Sequence, residues 1–175
     1  MRIPIESTTS YRGRNSRPNW FVFLGFVGSA LALGALGALF APGFSASTAA
    51  WYASLAKPAW VPPSNWFAPV WATLYVLMGI AAWRIWEERY HRGRNPALAA
   101  YLLQLLLNAA WAPAFFGARS IGAGLFLNIA LTLAIIWTIR RFAPVKALCA
   151  WMMVPYLAWV AFAAALNYSI WQLNP

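Results

Sequence analysis

The sequence predicts an all-α membrane protein, a bundle of five transmembrane helices with the N-terminus inside and the C-terminus outside. Three observations carry that prediction. Apolar residues make up 62% of the 175-residue chain and charged residues 9%, whereas soluble domains carry about 25% charged residues. Too few charges remain to cover a water-facing surface. Second, five apolar runs each approach the roughly 20 residues that cross ~30 Å of hydrocarbon. They show no period-two alternation, and no water is present to satisfy their backbone, so they are read as helices. Third, the basic residues sort by side. Arg2, Arg12, Arg14, Arg17, Arg84, Arg89, Arg92, Arg94, Arg140, Arg141 and Lys146 fall in segments on one side of five spans, against Lys57 and Arg119 on the other. That bias orients the chain with its basic segments inside.

Residues 1–19 are polar and basic and read as a disordered extension. The first span runs from about 20 to 41. Its 22 residues exceed the about 7–15 of a signal-peptide core, so it is expected to remain as a helix. Ala30, Gly34 and Ala38 recur every fourth residue, a small-residue stripe that allows close helix packing. Residues 42–65 then leave the membrane. This loop and the start of the next span, WYASLAKPAWVPPSNWFAPVWATLY (51–75), are aromatic and stiffened by Pro58, Pro62, Pro63 and Pro69. Each proline fixes φ and pushes its predecessor towards extended backbone. Trp51, Tyr52, Trp60, Trp66 and Phe67 thereby gain defined directions at the depth where amphipathic rings are stable. Such a loop is either an interfacial belt or a rigid ligand lid. The remaining spans run from about 66 to 86, 97 to 116, 121 to 139 and 147 to 170. Pro155 is expected to free the carbonyl of Trp151 and kink the last of them.

The composition also excludes several functions. A net charge of +10 could suggest nucleic acid, but the basic residues are split among short segments with no recognition motif. One cysteine (Cys149), one histidine (His91) and three acids (Glu6, Glu87, Glu88) cannot pair as an intrachain disulfide and make a metal site of four ligands unlike anything expected here. No acid lies inside a span, so no acid–base pair or activated nucleophile is visible.

Three spans instead carry polar and aromatic residues on one face. In the third span these are Gln104, Asn108, Trp111 and Phe115, spaced four, three and four. In the second they are Trp71, Tyr75 and Met78, and in the fifth Tyr156, Trp159, Ala163, Leu166 and Asn167. An unpaired amide in hydrocarbon costs several kcal/mol, so these faces should converge on the bundle interior. Gln104 and Asn108 alone could simply bond helices together. Gathering Trp71, Trp111 and Trp159 beneath an aromatic loop suits a flat apolar ligand, and Ala163 leaves space beside Trp159. A ligand arriving from lipid gains little from hydrophobic transfer. It must be held by shape, hydrogen bonds and aromatic contacts worth about 0.5–1.5 kcal/mol each.

Four segments, WYASLAKPAWVPP (51–63), VWATLYVLMG (70–79), QLLLNAAWAPAFFGAR (104–119) and PYLAWVAFAAALNYSIW (155–171), occur in an order and spacing that resemble the tryptophan-rich sensory protein / translocator protein family (TspO/MBR, the peripheral-type benzodiazepine receptor family). The resemblance covers roughly residues 20–174. It implies a five-helix bundle, often a homodimer, with a pocket under the first loop for porphyrins such as protoporphyrin IX and haem, and in many members for sterols and benzodiazepine-type drugs. Positions matching the family pocket are Tyr52, Trp71, Asn108, Trp159 and Ala163, with Trp60, Gln104, Leu166 and Asn167 nearby; the inward faces add Tyr75 and Trp111. The resemblance implies a receptor or binding protein for tetrapyrroles with a regulatory or transport role. Alternatives are a carrier across the membrane or a light-dependent porphyrin-degrading enzyme that uses Trp71 and Trp159. The family's sterol motif is incomplete here, since no Lys or Arg follows Tyr168. The arginine bias fits a bacterial cell membrane, and the resemblance leaves bacterial and mitochondrial outer membranes open.

Overall fold

The computed structural model describes residues 19–175. The expectation for the basic N-terminal extension therefore lies almost wholly outside the described residues. Among the described residues every regular element is a helix, and five helices are long and apolar enough to cross a membrane.

Helix α1 spans Trp20–Ala38 and starts at Asn19, whose Oδ1 accepts from the Val22 amide at 3.3 Å. It ends three residues short of the expectation. The loop after it is not irregular throughout. Ser45 caps a short helix, α2 (Ala46–Ser54), by accepting from the Thr48 amide. This is the cap chemistry that Ser supplies through its hydroxyl. Pro58, Pro62 and Pro63 follow in non-helical backbone, and a 3-10 turn (Ser64–Trp66) leads into α3 (Phe67–Glu87), which takes Pro69 into its first turn and not, as expected, after an extended residue.

Helix α4 (Arg94–Ala112) runs on into a π-helical turn, Pro113–Gly117. Pro113 has no N–H to offer the ladder, and the widened turn closes instead through the Ala118 amide on the Pro113 carbonyl at 2.8 Å. Arg119 then takes a left-handed φ of 50°. Ser120 caps α5 (Ile121–Phe142) through the Ala123 amide.

The fifth span is interrupted within one turn of Pro155, where the proline is expected to disturb it, while the backbone at Met153 stays helical. It consists of α6 (Ala147–Met152) and α7 (Val154–Leu173), parted at Met153. Pro155 falls in the first turn of α7, where a missing N–H has no intrahelical partner to lose. The Met153 carbonyl accepts the first bond of the new helix, from Leu157 at 3.0 Å.

Close packing of α1 on α3 follows from small residues on both. Ala30 is fully buried, and Gly34 lies flat against the Tyr75 ring. A Cβ at Gly79 would stand 2.6 Å from the Val27 Cα, so only glycine permits this approach. The predicted small-residue stripe holds for Ala30 and Gly34 but not for Ala38, which is exposed; Gly37 instead faces Ala112 of α4. The apolar core lies between α1, α3, α4, α5 and the α6–α7 span, and includes Met78, Ile85, Leu131, Ile135, Phe142, Met153 and Val160.

At the basic end, Lys146 bridges to Glu88 at 2.7 Å and ties the α5–α6 turn to the end of α3. At the other end the lid is fastened to the end of α7. Asn174 accepts from the Ala56 amide and donates to the Ala56 carbonyl, each at 3.0 Å.

Candidate ligand site

The site begins with Asn108, an amide 8% exposed in the middle of an apolar helix. Its burial obliges it to bond, and it bonds on both sides. Tyr75 on α3 donates its hydroxyl to Asn108 Oδ1 at 2.6 Å, and Asn108 Nδ2 donates to the Tyr156 hydroxyl on α7 at 2.9 Å. Three helices are thus joined through one amide. Trp71, one turn above Tyr75, stacks on that ring with centroids 5.5 Å apart and meets Tyr156 edge-on at 6.2 Å. Trp71, Tyr75, Asn108 and Tyr156 form one cluster.

A second cluster lies nearer the lid. Trp111 stacks on Phe115 at 5.1 Å and donates its indole N–H to the Gly124 carbonyl at 3.1 Å. Gly124 is required there: a Cβ would stand 2.6 Å from the Phe115 ring and 3.0 Å from Asn167 Nδ2. Helix α2 roofs this cluster, with Trp51 and Tyr52 set edge-on to Phe115 and Tyr52 also to Phe116. Lys57 holds the roof's end in place. Its ammonium donates to the carbonyls of Tyr52 and Leu55 at 2.6 and 2.7 Å and lies 4.8 Å from the Tyr52 ring centroid. Burial pushes the Tyr52 phenol above its ordinary pKa, which keeps it neutral.

The third group lines the seam between α3 and α7. Phe67 meets Trp159 edge-on at 5.7 Å, Trp159 leans on Phe162 at 5.6 Å, and Trp60 from the lid stands on Phe162 at the same distance. An apolar groove of about 610 Å³ runs along this seam, walled by Pro62, Pro63, Trp66, Val70, Trp159 and Phe162.

The predicted residues are therefore distributed, not gathered in one chamber. Trp71, Tyr75 and Asn108 meet in the first cluster, Tyr52, Trp111 and Asn167 in the second, and Trp60 and Trp159 in the third. Ala163 is half-buried and Leu166 buried on α7 between Trp159 and Asn167. Gln104 is fully buried one turn below Asn108. Sequence reasoning placed Tyr156 on an inward face without making it a site residue. It named Phe67 among the rings of the loop, and it missed Phe162, Gly124 and Asn128. Asn128 carried the same signal as Asn108, an amide inside an apolar run, and is 3% exposed.

Buried polar atoms without a partner among the described residues include both polar atoms of Gln104 and of Asn167, Nδ2 of Asn128 and the indole N–H of Trp159; away from the three groups, the Trp83 indole N–H and the Tyr101 hydroxyl are likewise unpartnered. Buried polar groups are nearly always bonded. Leaving one unmade costs about 1–3 kcal/mol. Donors and acceptors set among flat aromatic rings are what a planar ligand with polar edges needs. No group of metal-ligating side chains occurs among the described residues.

The five-span chain has relatives among known proteins. The sequence model of the TspO/MBR family matches residues 26–172. Protein CrtK of Rhodobacter capsulatus is 43% identical over 152 residues, covering 86% of this chain and 90% of that protein. Tryptophan-rich protein TspO of Chlorobaculum tepidum is 38% identical over 151 residues, covering 85% and 93%. The translocator protein of Ovis aries is 46% identical over 132 residues, covering 71% and 75%.

Proposed function

The chain belongs to the TspO/MBR family of integral membrane proteins, and from that premise we propose that it is a membrane receptor for tetrapyrroles such as protoporphyrin IX and haem, with a regulatory or transport role in porphyrin homeostasis. The observation that carries this reading is the set of unpartnered buried amides, Gln104 and Asn167, beside the stacked aromatic clusters. A tetrapyrrole is flat and apolar over its faces and carries nitrogens at its centre and carboxylates at its rim. Its faces suit Trp71, Tyr75, Trp111 and Phe115, and its polar atoms suit the amides. Its carboxylates suit the lid side, where Lys57 and Arg119 are the basic residues. The rings supply most of the holding energy, since a ligand drawn from lipid has already left water. The lid, fastened through Ala56 and Asn174, would exclude water and so strengthen the few polar contacts inside.

The test is a titration of the detergent-solubilised protein with protoporphyrin IX, read by tryptophan fluorescence in the dark and then under illumination. Saturable quenching with stable porphyrin bands is expected. A linear, non-saturating loss of fluorescence overturns the reading.

A second reading, photochemical porphyrin degradation, is favoured by one feature. Trp71 and Trp159 stand at successive levels of the same α3–α7 seam, and Trp71 stacks on Tyr75, whose hydroxyl is bonded to Asn108. Light-dependent loss of the porphyrin bands that disappears in the Trp71→Phe, Trp159→Phe double variant would establish it. Loss that persists in that variant would remove these residues from the chemistry.

A further inference from the structure

The five spans do not close evenly around the interior. Helix α1 packs tightly on α3 through Gly79 and Val27, and α4 joins α5 through Trp111 and Gly124. Between α3 and α7 there is instead an open seam. Its larger groove, about 610 Å³, continues into a second of about 300 Å³ that shares Val70, Leu74 and Pro155 and reaches Leu77. From Trp66 to Leu77 the chain rises about 16 Å at ~1.5 Å per residue. That is half of a hydrocarbon core about 30 Å thick. The mouth lies at the lid, and Pro63, Trp66, Pro155 and Ala158 are exposed on the outside of the bundle, where a spanning protein meets lipid.

Behind the seam lie the buried residues of the first cluster. Val70 and Leu74 form part of the groove's inner wall, and the aromatic contacts that cross the seam are edge-on: Phe67 against Trp159, and Trp71 against Tyr156. No hydrogen bond or ion pair crosses the seam at these points among the described residues. The bond that joins α7 to the interior, Tyr156 to Asn108, runs to α4. Edge contacts of this kind contribute about 0.5–1.5 kcal/mol each, so parting them is within reach of ordinary side-chain motion. The indole N–H of Trp159 is buried and unpartnered, so it becomes a donor for a ligand once the Phe67–Trp159 contact parts.

We propose that the α3–α7 groove is a lateral port through which a flat lipophilic ligand passes between the lid-side leaflet of the bilayer and the interior clusters, with Phe67–Trp159 and Trp71–Tyr156 as its gate. This rests on the ligand-binding reading above and adds the route. The route runs past Pro62 and Pro63 of the lid and does not require the lid to detach at Ala56, which is doubly bonded to Asn174. It keeps the ligand out of water throughout.

A port changes rates and not equilibrium. The protein is reconstituted in lipid nanodiscs, and association of protoporphyrin IX is followed by stopped-flow tryptophan quenching. Dissociation is followed after mixing with excess lipid vesicles as a sink. Ala158→Phe narrows the groove and is expected to slow both rates about tenfold with Kd unchanged, the effect of about 1.4 kcal/mol on a barrier. Trp66→Ala widens the mouth and should speed both rates. Leu133→Phe, on an exposed face of α5, should change neither. If Ala158→Phe does not fold, the acceleration in Trp66→Ala carries the test. Unchanged rates in the groove variants overturn the port. So does a changed Kd with a disproportionate change in one rate, which makes the groove the resting site. Absence of saturable binding in the wild type overturns the ligand-binding reading itself, and is seen before any variant is compared.

Discussion

Asn108 shows what a single residue does in this protein. It is one amide with two tyrosine partners on two other helices, Tyr75 and Tyr156. In hydrocarbon neither hydroxyl has water as a substitute partner. Asn108→Ala therefore removes an acceptor and a donor at once and leaves two buried hydroxyls alone. The expected loss is about 1–3 kcal/mol of stability, read as a lower Tm in detergent, with protoporphyrin IX affinity falling as well. Tyr156→Phe removes only one bond and should cost less. A Tm for Asn108→Ala equal to that of the wild type would mean the amide is not the junction the geometry describes.

At the scale of elements, departures from regular helix occur where the site is built. Pro113 forces the π-helical turn that carries Phe115 and Phe116 beneath α2. Such widened turns recur at functional positions. The interruption at Met153 resets α7, so that Tyr156, Trp159 and Asn167 come from a helix begun afresh, with Pro155 in its first turn. The α1–α3 pair is the opposite case, two regular helices held close by Gly34 and Gly79. Gly79→Ala places a methyl group against the Val27 backbone, which cannot rotate aside. The helices must separate, at about 1–3 kcal/mol for overpacking. Thermal melting should show the loss, and Gly28→Ala, where a Cβ meets nothing within 4 Å, should not.

For the whole molecule, five spans place the start of α1, beside Trp83, and the end of α7, beside Ala56, at opposite ends of the bundle. The described basic residues gather at one end, where Lys146–Glu88, Arg84–Glu87 and the Arg89 and Arg94 guanidiniums over Trp86 close the bundle. The lid end has Lys57 and Arg119. The positive-inside bias then predicts that a C-terminal alkaline phosphatase fusion expressed in bacteria is active and a C-terminal green fluorescent protein fusion is dark. The reverse pattern would invert the protein and move the lid, and with it the groove mouth, to the cytoplasmic leaflet.

The sequence by itself determined the five spans, because composition and run length are local properties and hydrocarbon leaves the backbone no alternative to helix. It also determined which helix faces carry the amides and aromatic rings, since spacings of three and four are read directly. Tyr75, Asn108 and Trp71 were legible as inward-facing residues for that reason. Other features were decided only by the tertiary structure. A helical face states a direction and not a partner, so nothing in the spacing said that Asn108 would be held between two tyrosines, or that Trp111 would bond to Gly124. Nor could it say that α3 and α7 would stand apart as a groove, which depends on which of five similar apolar helices pack closest. That choice is made by volume and small-residue fit across the whole bundle, and it decides where a ligand could enter.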